Sequence, residues 1–398
     1  MGAIKRQYFL SFAVMGAVLP YLSVFLSQRG LGMSQIGVVL SLTGLGIVMS
    51  PVLSTALADT RVSGRVLLGV LLAATGGSLA WLSGVSGFWT LLWVHGLFAL
   101  AFAPITALQD GLYFERRAAR EVAGRLSPAY HMVRVYGTFG FIVPSLGLYF
   151  LLRAGTVDTG AAIAAAAVCA GVGVANAFSL PGREVGVQEE DVDGLSRKRL
   201  PTLAAAKALA EPHALVFCLA MLLLHLAIAA YYGFYPVYLT ERIGIGAEWV
   251  GLIANLGVVI EIGFMLGFGW LVARLGLRGL MVAGALCMAG RFALLGFAPT
   301  VAVAVGTQVL HGVMVLVVHV APPIYLDGRA DPTYRHSIQG LYAVAVYGTG
   351  RIVGNLAGGW VAEASLTAVF VWSAGLSVAA AGLFGFAFGD REAEGTGG

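Results

Sequence analysis

Five charged side chains stand inside long apolar stretches of this sequence: Asp110, Arg134, Glu261, Arg291 and Arg351. A charge placed in hydrocarbon costs about 2.5–3.5 kcal/mol on insertion scales, so each one needs a partner or a task. Arg134 is followed at i+4 and i+7 by Thr138 and Phe141, which sets a guanidinium, a hydroxyl and an aromatic ring on one helix face. The planar five-donor fork of arginine beside a hydroxyl and a stacking surface suits a solute with several oxygens and a flat ring. The competing reading is an arginine locked to Asp110 on the neighbouring helix, tying the two helices together.

Glu261 lies within Gly257-Val258-Val259-Ile260-Glu261-Ile262-Gly263, with nothing one turn away on its own helix to neutralise it. Desolvation favours the uncharged carboxyl, so such a group can carry a proton or accept from a solute. The alternative is a permanent ion pair with Arg291 or Arg351. Gln339, Tyr347, Arg351 and Asn355 recur at multiples of four and predict a polar ridge. The glycines around them, Gly348, Gly350, Gly354, Gly358 and Gly359, suit close helix packing. His95, His131, His225, His311 and His319 are the titratable neighbours, and imidazole is the side chain that exchanges protons near neutral pH. An α-helix sets His311 and His319 about 80° apart around its axis; each is either a proton relay or a hydrogen-bonded structural group. Asp110, Glu261, His311 and His319 are thus the candidates for proton coupling. Tyr231, Tyr232, Tyr235 and Tyr238 read as an interfacial aromatic belt, one of which could face a cavity.

The elements that must hold these groups are membrane helices. The composition is 59% hydrophobic and 11% charged, with a mean hydropathy of +0.86, far from the range of soluble domains. Apolar stretches long enough to cross a core of about 30 Å recur at 7–27, 33–57, 66–86, 88–113, 129–152, 159–180, 213–238, 247–273, 279–298, 300–326, 336–361 and 365–388. These predict an all-α membrane protein of twelve transmembrane helices in two six-helix halves, 1–180 and 213–398, joined by a polar linker over 181–212 with an amphipathic helix near 203–209. The first span follows Lys5 and Arg6, but no small-residue cleavage site follows it, so it reads as retained rather than as a signal peptide.

Two further patterns organise the halves. Val135-Tyr136-Gly137-Thr138 returns as Val346-Tyr347-Gly348-Thr349, and Gly37, Leu40, Leu57 and Arg65 resemble Gly251, Ala254, Leu271 and Arg278. Such duplication in a membrane protein marks a secondary transporter with its solute site between the halves near mid-bilayer. Lys5, Arg6, Arg61, Arg65, Arg116, Arg117, Arg120, Arg125, Arg274, Arg278, Arg329 and Arg335 fall on one side with the linker, against Arg29, Arg153 and Arg242 on the other. That bias places both termini and the linker in the cytoplasm and explains the pI of about 9.0 better than nucleic-acid binding does. Cys169, Cys218 and Cys287 are scattered within spans and form neither a disulfide framework nor a metal site. No phosphate loop and no catalytic constellation is present, which argues against an enzyme and for an ion gradient, or the solute's own, as the energy source.

These residues resemble the major facilitator superfamily over nearly the whole length. Leu57-Ala58-Asp59 through Arg65 stands where that superfamily keeps its loop 2–3 motif, with Asp59 and Arg65 as its charged ends; the copy at Gly269 to Arg278 has Ala273 where an aspartate might stand. Within the superfamily the chain is most similar to nucleoside:proton symporters. The resemblance is carried by Met33-Ser34-Gln35-Ile36-Gly37, by Ser50-Pro51 through Asp59, by Val133-Arg134-Val135-Tyr136-Gly137-Thr138-Phe139-Gly140-Phe141, by Leu310-His311-Gly312-Val313, and by Ile324-Tyr325-Leu326-Asp327 through Gln339-Gly340-Leu341. It implies a substrate site that includes Arg134, Thr138, Phe141 and Glu261, to which the ridge adds Tyr347 and Arg351. Two departures bear on the solute: Met314, Val315 and Leu316 follow His311-Gly312 where the family tends to carry tyrosine and aspartate, and His225 stands where amides are expected. Lactose-permease-like and phenylpropionate-permease-like symporters share much of the pattern.

The expectation is a proton-coupled importer of a small polar organic solute, foremost a nucleoside, working as a monomer in the cell membrane by alternating access, without cofactor or metal. A sugar or an aromatic carboxylate is the alternative cargo, since Arg134, Arg291 and Arg351 against Asp110 and Glu261 leave one positive charge spare. A proton-driven exporter and a non-transporting membrane sensor are the alternatives in kind.

Overall fold

A computed structural model describes residues 1–58, 63–180, 201–331 and 334–387. Helix is the only regular structure among the described residues, as it must be where one chain crosses hydrocarbon and each backbone amide has to find its partner within the same segment. Eight helical stretches among them are long and apolar enough to cross a membrane, and a bent pair adds a ninth. The protein is therefore a multi-pass membrane protein.

The chain forms two compact units. The first comprises Met1–Gly194 and Gly246–Asn255. Its helices are α1 (Gly2–Val18), α2 (Leu22–Gln28), α3 (Met33–Ala58), α4 (Gly64–Gly84), α5 (Phe88–Phe102), α6 (Ile105–Val122), α7 (Tyr130–Arg153) and α8 (Gly160–Phe178). A bend of 41° separates α1 from α2, which together are long and apolar enough for one span. Pro104 stands between α5 and α6, where its missing N–H and ring would disrupt a continuous helix. The α1 and α7 helices cross in backbone contact: a Cβ on Gly16 would strike the main chain of Phe141, and one on Gly140 the main chain of Phe9. Glycine here lets dispersion between two backbones stand in for a hydrophobic drive that lipid does not supply.

The second unit comprises Leu195–Ile245 and Leu256–Gly398. It contains α9 (Pro201–Ala210), which covers the expected amphipathic segment, then α10 (Pro212–Val237) and most of α11 (Ala247–Phe297). The tenth span runs through α12 (Val301–Gly306), α13 (His311–Val315) and α14 (Ala321–Arg329), and the eleventh through α15 (Arg335–Tyr342) and α16 (Thr349–Ala364), before α17 (Leu366–Gly382). At 51 residues α11 would be roughly 76 Å long, more than twice the hydrocarbon thickness. Gly276, at φ 66° and ψ 169°, breaks it in the gap between the eighth and ninth predicted spans, using a conformation other residues avoid. Each predicted span thus has helix beneath it. Here α10 packs on α16, with Gly350 against His225, Gly354 against the Leu226 backbone and Gly358 against Ala230.

The duplication shows in matched jobs. Each unit pairs its first span with its fifth, α1 with α7 and α10 with α16. Arg65 donates to the carbonyl of Leu180 at 3.5 Å, beyond the end of α8. Its repeat partner Arg278 donates to the carbonyls of Phe384, at 3.2 Å, and Gly385, after α17. Both arginines satisfy orphan carbonyls where a helix ends. Asp59, the other end of the loop 2–3 motif, lies outside the described residues.

Candidate functional site

The largest buried charge sits in the second unit. Arg291 on α11 is 0% exposed, and its guanidinium donates to the Tyr231 hydroxyl and, at 3.0 Å, to Gln308 Oε1. The Tyr231 ring lies 4.6 Å from the guanidinium carbon, and His311 Nδ1 lies 3.4 Å from Nη1. On its other edge, His311 Nε2 stands 3.8 Å from Glu261 Oε2. Gln308 donates in turn to the Tyr235 hydroxyl at 2.9 Å, and Tyr235 to the Ala304 carbonyl at 2.8 Å. Carboxylate, imidazole, guanidinium, amide and phenol thus follow one another across α10, α11 and the tenth span; the two terminal nitrogens of Arg291 are met by these neighbours, while its buried Nε has no partner among the described residues.

The alternative reading, Glu261 in a permanent ion pair with Arg291 or Arg351, finds no support in this geometry. Among the described residues no arginine makes an ion pair with Glu261; the imidazole of His311 stands nearest, at 3.8 Å. The reading of Tyr231, Tyr235 and Tyr238 as an interfacial belt is also corrected. Tyr231 is 2% exposed and Tyr235 5%, and Tyr238 is buried with its hydroxyl on the Leu295 carbonyl. Their phenols serve the interior network, which the amphipathic character of tyrosine allows as readily as an interface.

A second cluster in the same unit gathers His225, His319, Tyr347 and Arg351. Arg351 donates to the Tyr347 hydroxyl at 3.2 Å, while the His225 and His319 rings meet the Tyr347 ring edge-on at 5.0 and 6.0 Å. Two π turns place them: Leu316–Val320 carries His319 and Ala343–Gly348 carries Tyr347. Each π turn adds a residue to the helix count, so the 80° separation of His311 and His319 shrinks, and Gln339 is carried out of register with Tyr347. Gln339 instead donates to the Pro323 carbonyl at 2.9 Å, while Asn355 stays on the Arg351 side, donating to that residue's carbonyl at 2.9 Å. The expected ridge is therefore Tyr347, Arg351 and Asn355 without Gln339.

In the first unit, Asp110 accepts from the Tyr8 hydroxyl and, at 2.9 Å, from the Tyr130 hydroxyl. No ion pair joins Asp110 to Arg134 among the described residues. Arg134 lies over the Phe12 ring at 4.3 Å and beside Tyr8 at 5.8 Å. Thr138 and Phe141 share its helix and are, like it, half-buried. Phe12, Tyr8 and Tyr130 are the neighbours that sequence reasoning passed over, and only contact between α1, α6 and α7 reveals them. Arg291 was visible as a charge, but its partners Gln308, Tyr231 and Tyr235 carried no spacing that linked them to it.

A model of the MFS_1 like family matches residues 2–373. The putative nucleoside transporter YegT of Escherichia coli (strain K12) is 28% identical over 374 residues, covering 90% of this chain and 84% of that protein. The probable 3-phenylpropionic acid transporter of the same organism is 28% identical over 361 residues, covering 88% of each. The crystal structure of the nucleoside transporter NupG superposes with a TM-score of 0.84 at 20% identity, over 98% of this chain and 99% of that one, which shows a shared fold.

Proposed function

The chain belongs to the MFS_1 like family, and we propose that it imports a nucleoside together with a proton by alternating access. It is a transporter and not an enzyme. The observation that carries the proton is the Glu261–His311–Arg291 chain. A carboxylate at 3.8 Å from an imidazole, itself 3.4 Å from a guanidinium, can change protonation while its partners hold it in place. A proton on Glu261 releases His311 toward Arg291, and its departure restores the pair, so occupancy biases the packing of α11 against the tenth span. Arg134, Thr138 and Phe141 supply the fork, hydroxyl and ring for the solute in the first unit, while Tyr347 and Arg351 supply a phenol and a cation in the second. Asp59 and Arg65 belong to the conformational motif between the second and third spans. We place both termini in the cytoplasm, the protein in the inner membrane if its host is a bacterium, and the working unit as a monomer.

The nucleoside cargo rests on the names of YegT and NupG. A second reading, an aromatic carboxylate, is favoured by the similarity to the phenylpropionic acid transporter and by the positive balance of intramembrane charge. Uptake into proteoliposomes under an inward proton gradient separates them. Accumulation of a radiolabelled nucleoside that collapses with a protonophore supports the first reading, accumulation of phenylpropionate alone supports the second, and uptake indifferent to the gradient removes proton coupling.

A further inference from the structure

Arg351 has a charge that no carboxylate among the described residues answers. It lies in the eleventh span, where an unpaired cation is costly, and among the described residues no carboxylate comes within ion-pair distance. Glu261 pairs with His311, Glu211 with Arg329 and Asp327 with Arg335. Among the described residues the guanidinium donates to Tyr347, and its buried Nε, like that of Arg291, has no acceptor. Close by, His225 is 3% exposed and its Nε2 likewise has no partner among the described residues. His319, on the far edge of Tyr347, is by contrast exposed. The cluster therefore presents a cation and imidazole nitrogens around a phenol, open on one side and lacking one thing, an acceptor with negative charge. Two separate π turns, Leu316–Val320 and Ala343–Gly348, deliver His319 and Tyr347 to it, and such interruptions of helices gather at functional sites.

We infer that Arg351, His225, His319 and Tyr347 form a subsite for an anionic group of the transported solute, so that the preferred cargo is a negatively charged nucleoside rather than a neutral one. The inference rests on the import reading above and narrows its substrate class. Arg351 would hold the anion with two N–H donors, His225 Nε2 would add a third when it carries the proton, and the Tyr347 ring would limit the group to a flat shape. A solute of this kind brings its own countercharge, which satisfies Arg351 only while the site is loaded.

The test is ligand-induced thermal stabilisation of the purified full-length protein with matched pairs: xanthosine, whose purine ring ionises near neutral pH, against neutral inosine, and 3-phenylpropionate against 3-phenylpropanol. The anionic member of a pair is expected to bind about tenfold more tightly or better, the worth of a charge-assisted hydrogen bond, and Arg351→Gln should erase that preference while Arg351→Lys keeps part of it. Equal binding of xanthosine and inosine would overturn the anionic subsite and leave the nucleoside reading standing. Preference for phenylpropionate with neither nucleoside bound would sustain the subsite and remove the nucleoside. An Arg351→Gln protein that still prefers the anion would overturn the inference outright, and should that variant fail to fold, the wild-type and Arg351→Lys comparisons still decide it.

Discussion

Replacing Glu261 by glutamine is the sharpest perturbation of the proposed coupling chain, because it removes the charge and keeps the shape. With Glu261 ionised, the neutral imidazole of His311, whose Nδ1 faces the Arg291 guanidinium, can turn its Nε2–H to the carboxylate 3.8 Å away, and such a charge-assisted contact is worth about 1.5–3 kcal/mol once closed to hydrogen-bond length. That is about ten- to a hundredfold in any equilibrium which makes or breaks the contact, enough to bias which packing of α11 and the tenth span is preferred. Glutamine can still meet His311 as a neutral amide, so melting of the detergent-purified variant should shift by less than about 1 kcal/mol. In proteoliposomes, wild-type uptake should fall as the external pH rises at fixed internal pH, and accumulation should reach about tenfold per unit of pH gradient for one proton per solute, since 1.36 kcal/mol per pH unit is a factor of ten. Glu261→Gln should accumulate nothing above equilibrium and respond flatly to external pH, yet exchange labelled solute across the membrane within a few-fold of wild type. Uphill accumulation by the variant would refute the assignment of the proton to Glu261; loss of folding in place of loss of coupling would make the residue structural.

Three other substitutions probe the remaining parts. Arg134→Lys keeps the cation but loses the planar fork and its stacking on Phe12 at 4.3 Å, so solute affinity should drop about tenfold or more, measured by half-saturation of uptake; full activity would reduce Arg134 to a simple charge. Gly140→Ala drives a Cβ into the Phe9 main chain and should destabilise the protein by about 1–3 kcal/mol, whereas Gly171→Ala, with open space at that position, should be neutral or stabilising by up to about 1 kcal/mol; paired melting curves check the contrast. Arg291→Met orphans Gln308 Oε1 and the Tyr231 hydroxyl, at about 1–3 kcal/mol each, and should lower the melting temperature far more than Glu261→Gln does; equal stability of the two variants would show that the buried guanidinium is not what organises the network.

What the sequence made legible was what a single helix can encode. The spacing of Arg134, Thr138 and Phe141 is a property of one element, and the structure keeps them on α7. The lengths of the apolar runs mark where helices lie, and Gly276 interrupts α11 between the runs 247–273 and 279–298. The π turns were not legible, because Leu316–Val320 and Ala343–Gly348 are composed like any other apolar helix, and their register shift moved Gln339 off the ridge. The tyrosines of α10 were misread for a different reason. A phenol is equally content at an interface or on a buried acceptor, and the choice was made by Arg291 and Gln308 on helices dozens of residues away.

The five intramembrane charges divide by the same logic. Asp110 is met by the phenols of Tyr8 and Tyr130, Glu261 by His311, and Arg291 by an amide, a phenol and an imidazole. These partners come from other helices, so in place of the alternative pairing, acid to arginine, neutral polar groups meet each charge without cancelling it. A cancelled charge is indifferent to a proton or a solute, because opening the pair costs several kcal/mol whichever state the site is in. A charge held by neutral donors or acceptors keeps its field and can exchange one neutral partner for a charged one. Arg134 stacked on Phe12, Arg351 bonded to Tyr347 and Arg291 within its polar network are all in that condition, and the proposed solute contacts draw on the first two.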